Sequence, residues 1–193
     1  MDQLIILRIV CLLIGYAFGL FQTAFILGKS RGIDIRDYGS GNSGTTNALR
    51  TMGTKAGLIV FLGDVFKCLL AMLLVGFLFG SSHPEAVYLL KTWAFAGVVL
   101  GHDYPFYMGF RGGKGVAVVA GFVMGFHWTL FLGGLLMFFV PYLVTKYVSM
   151  GSLILYLGIF LQIVVEGKAG VFGGLGGTLT EIIVIQGVLT AMA

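Results

Sequence analysis

The chain has 193 residues, of which 58% are hydrophobic and 10% charged, with a mean hydropathy of +1.00. A soluble domain carries about 25% charged residues, so water cannot solvate this surface and the chain reads as an integral membrane protein. Twelve Lys and Arg against eight Asp and Glu leave a net charge of +4; on a membrane protein that surplus marks cytoplasmic loops rather than a nucleic-acid partner.

Crossing roughly 30 Å of hydrocarbon takes about 20 helical residues, and the apolar runs lack the short alternating segments of a membrane barrel. Seven helices are predicted, at about 4–27, 56–79, 90–101, 116–127, 129–145, 150–165 and 177–192. The fold class is all-α, a polytopic helical bundle, and no fixed-period repeat or long linker divides its one domain over 1–193. The first run exceeds the roughly 7–15-residue core of a signal peptide and no cleavage site follows it, so it is read as retained. The third and fourth runs cross the bilayer only if the polar loop between them packs down into the bundle. Cys11 and Cys68 fall inside spans, where packing is their role. The 31 glycines fit both close helix contacts and flexible loops.

Between the first two runs lies Tyr38-Gly-Ser-Gly-Asn-Ser-Gly-Thr-Thr-Asn-Ala-Leu-Arg50, too hydrophilic for hydrocarbon and therefore a loop at a membrane face. Gly39 to Gly44 matches G-x-G-x-x-G, but a dinucleotide site needs a preceding strand, and here a membrane helix and the charged stretch 29–37 precede it. A flexible turn is one reading. The other is an anion site: Thr45, Thr46 and Asn47 start a helix whose first N–H groups face back to the loop, with the Arg50 guanidinium beside them.

The second island spans 101–115 and contains Phe110-Arg111-Gly112-Gly113-Lys114-Gly115. Walker A needs Ser or Thr after Gly-Lys, and Gly115 stands there, which argues against an NTPase. Arg111 and Lys114 either anchor a helix at the headgroups or neutralise phosphate. His102 and Asp103 are adjacent with no third ligand at helical spacing, so no metal is expected. His127 beside Trp128 is interfacial. Asp64 and Lys67, three apart on one helix face, neutralise each other inside the bundle. Glu181 has no sequence-local partner, and 170–177 reads as a turn or a packing stretch.

Orientation follows from cations in alternate loops. Lys29, Arg31, Arg36, Arg50, Lys55, Arg111, Lys114 and Lys146 oppose Arg8, Lys91 and Lys168, eight against three. Both islands are thereby assigned to the cytoplasm, with the N-terminus outside and the C-terminus inside.

Taken together, Gly39-Ser40-Gly41-Asn42-x-Gly44-x-Thr46-Asn47-x-x-Arg50, Gly101-His102-x-x-Pro105 and Gly112-Gly113-Lys114-Gly115-Val116-Ala117 resemble the bacterial membrane acyltransferases that move a fatty acyl group from acyl phosphate to glycerol 3-phosphate. The likeness extends through Lys55-Ala56-Gly57, Asp64-Val65-x-Lys67 and Tyr147-Val148-Ser149. It implies a seven-helix enzyme of the bacterial plasma membrane with cytoplasmic active loops. Its reactants are glycerol 3-phosphate and acyl phosphate, its product stays among the membrane lipids, and it needs no metal or nucleotide cofactor. It further implies that Ser40, Arg50 and Lys114 hold phosphate, that Asn42 and Asn47 shape the first loop, and that His102 and Ser149 line the pocket. Gly41, Gly44 and Thr46 belong to the same phosphate-binding loop; Arg111 adds charge, and Gly112, Gly113 and Gly115 admit substrate to the backbone. His102, Lys114 and Arg50 are the catalytic candidates. The family's third motif, of the His-Arg-x-Asn-Ile type, has no counterpart in the sequence to Ala193; the pocket is completed differently, or activity is reduced or altered. A small anion transporter or phosphate-ligand binding protein is the rival, but a transporter should show repeated halves.

Overall fold

The computed structural model describes residues 2–173, 175 and 177–192. Nine α-helices and two 3-10 turns, at Ile35–Asp37 and Phe106–Met108, form this part of the chain, with no strand among the described residues. The helices are α1 (Asp2–Gly19), α2 (Thr23–Ser30), α3 (Thr45–Met52), α4 (Thr54–Phe79), α5 (Val87–Asp103), α6 (Val116–Phe126), α7 (Trp128–Thr145), α8 (Val148–Lys168) and α9 (Thr178–Met192). Four stretches are long and apolar enough to cross a membrane: Gln3–Ser30, Thr54–Phe79, Trp128–Thr145 and Val148–Lys168. Their outward faces carry large apolar side chains such as Phe77 and Val144, 84% and 79% exposed, as expected where lipid is the solvent.

The first predicted helix is in fact two. It breaks at 20–22, where Gln22, wholly buried, finds acceptors for its amide N–H groups at that depth. Its Nε2 donates to the carbonyls of Gly19 (3.2 Å), Gly101 (3.1 Å) and His102 (2.8 Å). The break thereby grips the far end of α5. The helix foreseen after the first loop is α3, and the remaining six predicted helices match α4 to α9 as helices, α5 and α8 running three residues or more beyond their predicted limits.

Small residues bring α1 and α5 into backbone contact. Gly15 and Gly19 on α1 face Gly97 and Gly101 on α5, and a Cβ on Gly97 would run into the carbonyl of Leu12. Two i, i+4 glycine pairs meeting face to face are the membrane solution for close approach. On the other side of α5 the core fills with aromatics: Phe95 stacks on Phe122 with ring centroids 4.2 Å apart, and Phe122 meets Phe126 at 5.0 Å. Both cysteines are buried and free.

Two ion pairs lie inside the bundle. Lys67 lies 2.9 Å from Asp64, as their spacing predicted. Glu181 on α9 finds its partners far away in sequence, accepting from Arg8 of α1 (2.6 Å) and from the indole of Trp93 on α5 (2.8 Å). His127 caps α7 through Thr129. The predicted turn at 170–177 falls partly outside the described residues.

Candidate active site

The first loop is built around two side chains. Asp34 accepts from the backbone N–H of Arg36 (3.1 Å) and from its guanidinium Nε and Nη2 (2.9 and 2.8 Å), while Lys29 approaches to 3.3 Å. The Arg36 guanidinium holds the Asp34 carboxyl far below the usual carboxylate range, and Asp34 in turn raises Arg36. Asn47, 2% exposed, ties the rest together. Its Nδ2 faces the carbonyls of Ile35 (3.1 Å), Tyr38 (3.0 Å) and Asn42 (3.0 Å), and its Oδ1 accepts from Ser40 N–H (2.9 Å). The loop can wind this tightly because Gly39 and Gly41 adopt φ of +60° and +71°, which side chains rarely take. Helix α3 then begins at Thr45 with its first N–H groups unpaired within the helix.

The second loop folds back on the last turn of α5. Gly112 N–H donates to Asp103 O and Gly113 N–H to His102 O, each at 3.0 Å. Neither position has room for a side chain, since a Cβ on Gly112 would strike the His102 carbonyl and one on Gly113 the imidazole itself. Phe110 sits at φ +59°, a left-handed conformation unusual for a bulky residue, and its N–H is held by Pro105 O at 3.1 Å. Gly115, at φ +68°, ends the loop and opens α6. Tyr156 of α8 donates to Lys114 O at 3.0 Å.

These two loops meet. Ser43 N–H donates to Gly112 O (3.3 Å), and Arg36 Nη1 donates to Met108 O (2.8 Å). Between them lies a polar pocket of about 390 Å³ lined by Arg36, Asp37, Ser40, Gly41 and Arg111, in the size range of small-molecule sites. Nearby, Asn42 Oδ1, Ser43 Oγ, Thr45 Oγ1 and Asp103 Oδ1 are buried without a protein partner, which leaves hydrogen-bonding capacity for a ligand.

Of the residues singled out in the sequence, Ser40, Gly41 and Arg111 line this pocket. Gly44 and Thr46 lie at the start of α3, and Asn42 and Asn47 form the inner framework of the first loop. Gly112, Gly113 and Gly115 form the turn of the second. Arg50 on α3 and Lys114 are exposed, and neither side chain makes an ion pair or hydrogen bond among the described residues. Ser149, exposed on the first turn of α8, does not line the pocket. His102 is 2% exposed; its Nδ1 lies 2.7 Å from Lys67 Nζ, which also donates to Phe21 O at 3.0 Å. Arg36, Asp34 and Gln22 were not singled out, although Asp34-x-Arg36 beside the glycine-rich motif and a glutamine amid apolar residues are visible signals. No three His, Cys, Asp or Glu side chains among the described residues are placed to hold a metal.

Apolar spans around a paired-loop, glycine-rich cationic pocket define an integral membrane protein whose polar site sits at one end of its helices. The glycerol-3-phosphate acyltransferase family profile matches residues 9–192. The chain belongs to this family and is an acyltransferase. It is 41% identical over 170 residues to the glycerol-3-phosphate acyltransferase of Clostridioides difficile (strain 630), covering 84% of this chain and 80% of the relative. Over 144 residues it is 40% identical to that of Bacillus subtilis (strain 168), covering 74% and 71%. The crystal structure of PlsY (YgiH), an integral membrane glycerol 3-phosphate acyltransferase in its glycerol 3-phosphate form, superposes with a TM-score of 0.79 at 29% identity, covering 95% of this chain and 86% of that one. The form with lysophosphatidic acid gives 0.77 at 28%.

Proposed function

We propose that the paired loops bind glycerol 3-phosphate and transfer to its 1-hydroxyl the fatty acyl group of acyl phosphate, giving lysophosphatidic acid and inorganic phosphate. The observation that carries this reading is the joining of the two glycine-rich loops by Ser43 N–H to Gly112 O and by Arg36 to Met108 O, which puts Ser40 and Arg111 on one pocket. Both reactants are anions, so their encounter demands concentrated positive charge and oriented N–H groups. Arg50, Arg111 and Lys114 are cations in or beside these loops whose side chains are free to meet phosphate, and α3 and α6 both start from the loops.

The substrate hydroxyl oxygen bonds to the acyl carbon, the bond from that carbon to the phosphate oxygen breaks, and inorganic phosphate leaves. A phosphate oxygen of a reactant takes the hydroxyl proton, because phosphate titrates near neutrality and no Ser-His-Asp arrangement stands in the site. The excess of cations on the loops at this end supports a pocket that faces the cytoplasm of a bacterial plasma membrane. Purified protein given glycerol 3-phosphate with acyl phosphate, acyl-CoA or acyl carrier protein as donor tests this through phosphate release. Turnover with acyl phosphate, abolished by Arg50→Ala and by Lys114→Ala with the fold intact, is expected. Full rate in both variants would place the site elsewhere.

A further inference from the structure

We infer that Asp64, Lys67 and Gln22 are positioning residues that hold the His102 imidazole as a fixed Nε2–H donor against the second loop and fasten that loop to the break between α1 and α2. The inference rests on the phosphate-loop reading above and deepens it.

The tautomer follows from what Lys67 can offer to Nδ1. A lysine ammonium has three N–H donors and no acceptor, and Lys67 Nζ has three neighbours: Phe21 O at 3.0 Å, Asp64 Oδ1 at 2.9 Å and His102 Nδ1 at 2.7 Å. An ammonium cannot accept, so at 2.7 Å from Lys67 Nζ the imidazole Nδ1 carries the lone pair and the ring proton sits on Nε2. A proton on Nδ1 would set donor against donor, and an imidazolium would add a like charge beside the ammonium. Nε2 is the atom that faces Gly113, where a Cβ would collide with it. The imidazole is thereby excluded as a general base: one nitrogen is bonded to Lys67 and the other is already protonated. It presents instead an N–H toward the glycine turn.

The same cluster fixes the loop backbone. His102 O accepts from both Gly113 N–H and Gln22 Nε2, and Gly101 O accepts from Gln22 as well. Tyr107 donates to Leu20 O at 2.6 Å and Tyr16 to Tyr104 O at 3.1 Å. Asp64, 1% exposed, and Lys67, 4% exposed, lie too deep to meet a soluble reactant, so they act through His102. The charged groups around the ring are Asp64 and Lys67 on α4 and Asp103, the next residue on α5. Gln22 of the α1–α2 break and Thr23 at the start of α2 do not titrate.

The chain has three histidines, which makes nitrogen NMR of ¹⁵N-histidine-labelled full-length protein tractable, with His102→Gln giving the assignment. From about pH 5.5 to 8.5, a range bracketing the ordinary imidazole value near 6.5, His102 is expected to stay neutral with a protonated Nε2 and an acceptor Nδ1. In Lys67→Met it titrates. Where Lys67→Met fails to fold around the unpaired Asp64, the charge-free Asp64→Leu/Lys67→Met serves in its place. A wild-type Nδ1 bearing the proton, or an imidazolium in that range, overturns the inference. In turnover assays His102→Gln, whose amide nitrogen can occupy the Nε2 position, should exceed His102→Asn in kcat by about tenfold, the worth of one hydrogen bond. Equal rates would also overturn it. The NMR signature needs no substrate, so an enzyme with no activity toward glycerol 3-phosphate would refute the proposed reaction while leaving the tautomer test standing.

Discussion

Asn47→Ala removes the centre of the first loop without touching its charges. The amide supplies two N–H donors shared among Ile35, Tyr38 and Asn42 carbonyls, and one oxygen for Ser40 N–H. That is the equivalent of three hydrogen bonds at about 0.5–1.5 kcal/mol net each. Since the loop rim is exposed and its freed groups regain water, the lower half of the sum, roughly 2 kcal/mol, is the better figure. It corresponds to about 30-fold in the population of the wound loop. Binding that requires the wound form weakens by up to the same factor. KM for glycerol 3-phosphate should therefore rise by as much as about 30-fold while kcat at saturation falls little, because bound ligand restores the loop. Asn47→Asp should be worse, since its carboxylate would face three carbonyls. Steady-state kinetics and amide hydrogen exchange over 38–43 measure the two effects. A wild-type KM together with unchanged exchange in Asn47→Ala would refute this account of the loop.

Gly97→Ala puts a Cβ into the Leu12 carbonyl and should force α1 and α5 apart at a cost of about 1–3 kcal/mol; a lower unfolding temperature in detergent with reduced turnover is expected. Phe95→Ala, at a position 1% exposed and stacked on Phe122, should cost about 3–5 kcal/mol in denaturant unfolding. Asp34→Asn frees Arg36 and should make the chain susceptible to trypsin after that residue at neutral pH. Because Arg36 and Lys29 depress the folded Asp34 pKa, its contribution to stability is full above the ordinary carboxylate value near 3.9 and is lost as pH falls below that. Acid sensitivity of the loop that is unchanged in Asp34→Asn would contradict this.

Much of the framework is legible in local sequence because the bilayer imposes it. Apolar runs of fixed length have few alternatives to helices, and a run such as Tyr38 to Arg50 cannot lie in hydrocarbon, so α3 to α9 and both loops are read correctly. The Asp64–Lys67 pair is visible for the same reason, being one turn of helix. What stays hidden is everything set by contacts between distant segments. Gln22 breaks the first helix where carbonyls some 80 residues later accept its amide N–H groups; a glutamine stands out in 4–27, but its distant partners do not. Arg36 lines the pocket because Asp34 aims its guanidinium, whereas by composition it is one more loop cation. The partners of Glu181 lie 173 and 88 residues away. The imidazole of His102 is found in the motif, but which of its nitrogens is available depends on Lys67, on another helix.

The pairing of Arg8 with Glu181 also bears on how the chain is made. At about 5–20 residues per second, the 173 positions that separate them take roughly 10–35 s to synthesise. Throughout that interval the first helix resides in the bilayer with an uncompensated guanidinium, which must reach up to the headgroups along its own aliphatic stem. Only when α9 arrives can the arginine pair with Glu181 between α1 and α9. Helix α1 thus settles only after α9 has been made, and ribosome-bound intermediates truncated before 181 should hold it loosely enough to be extracted.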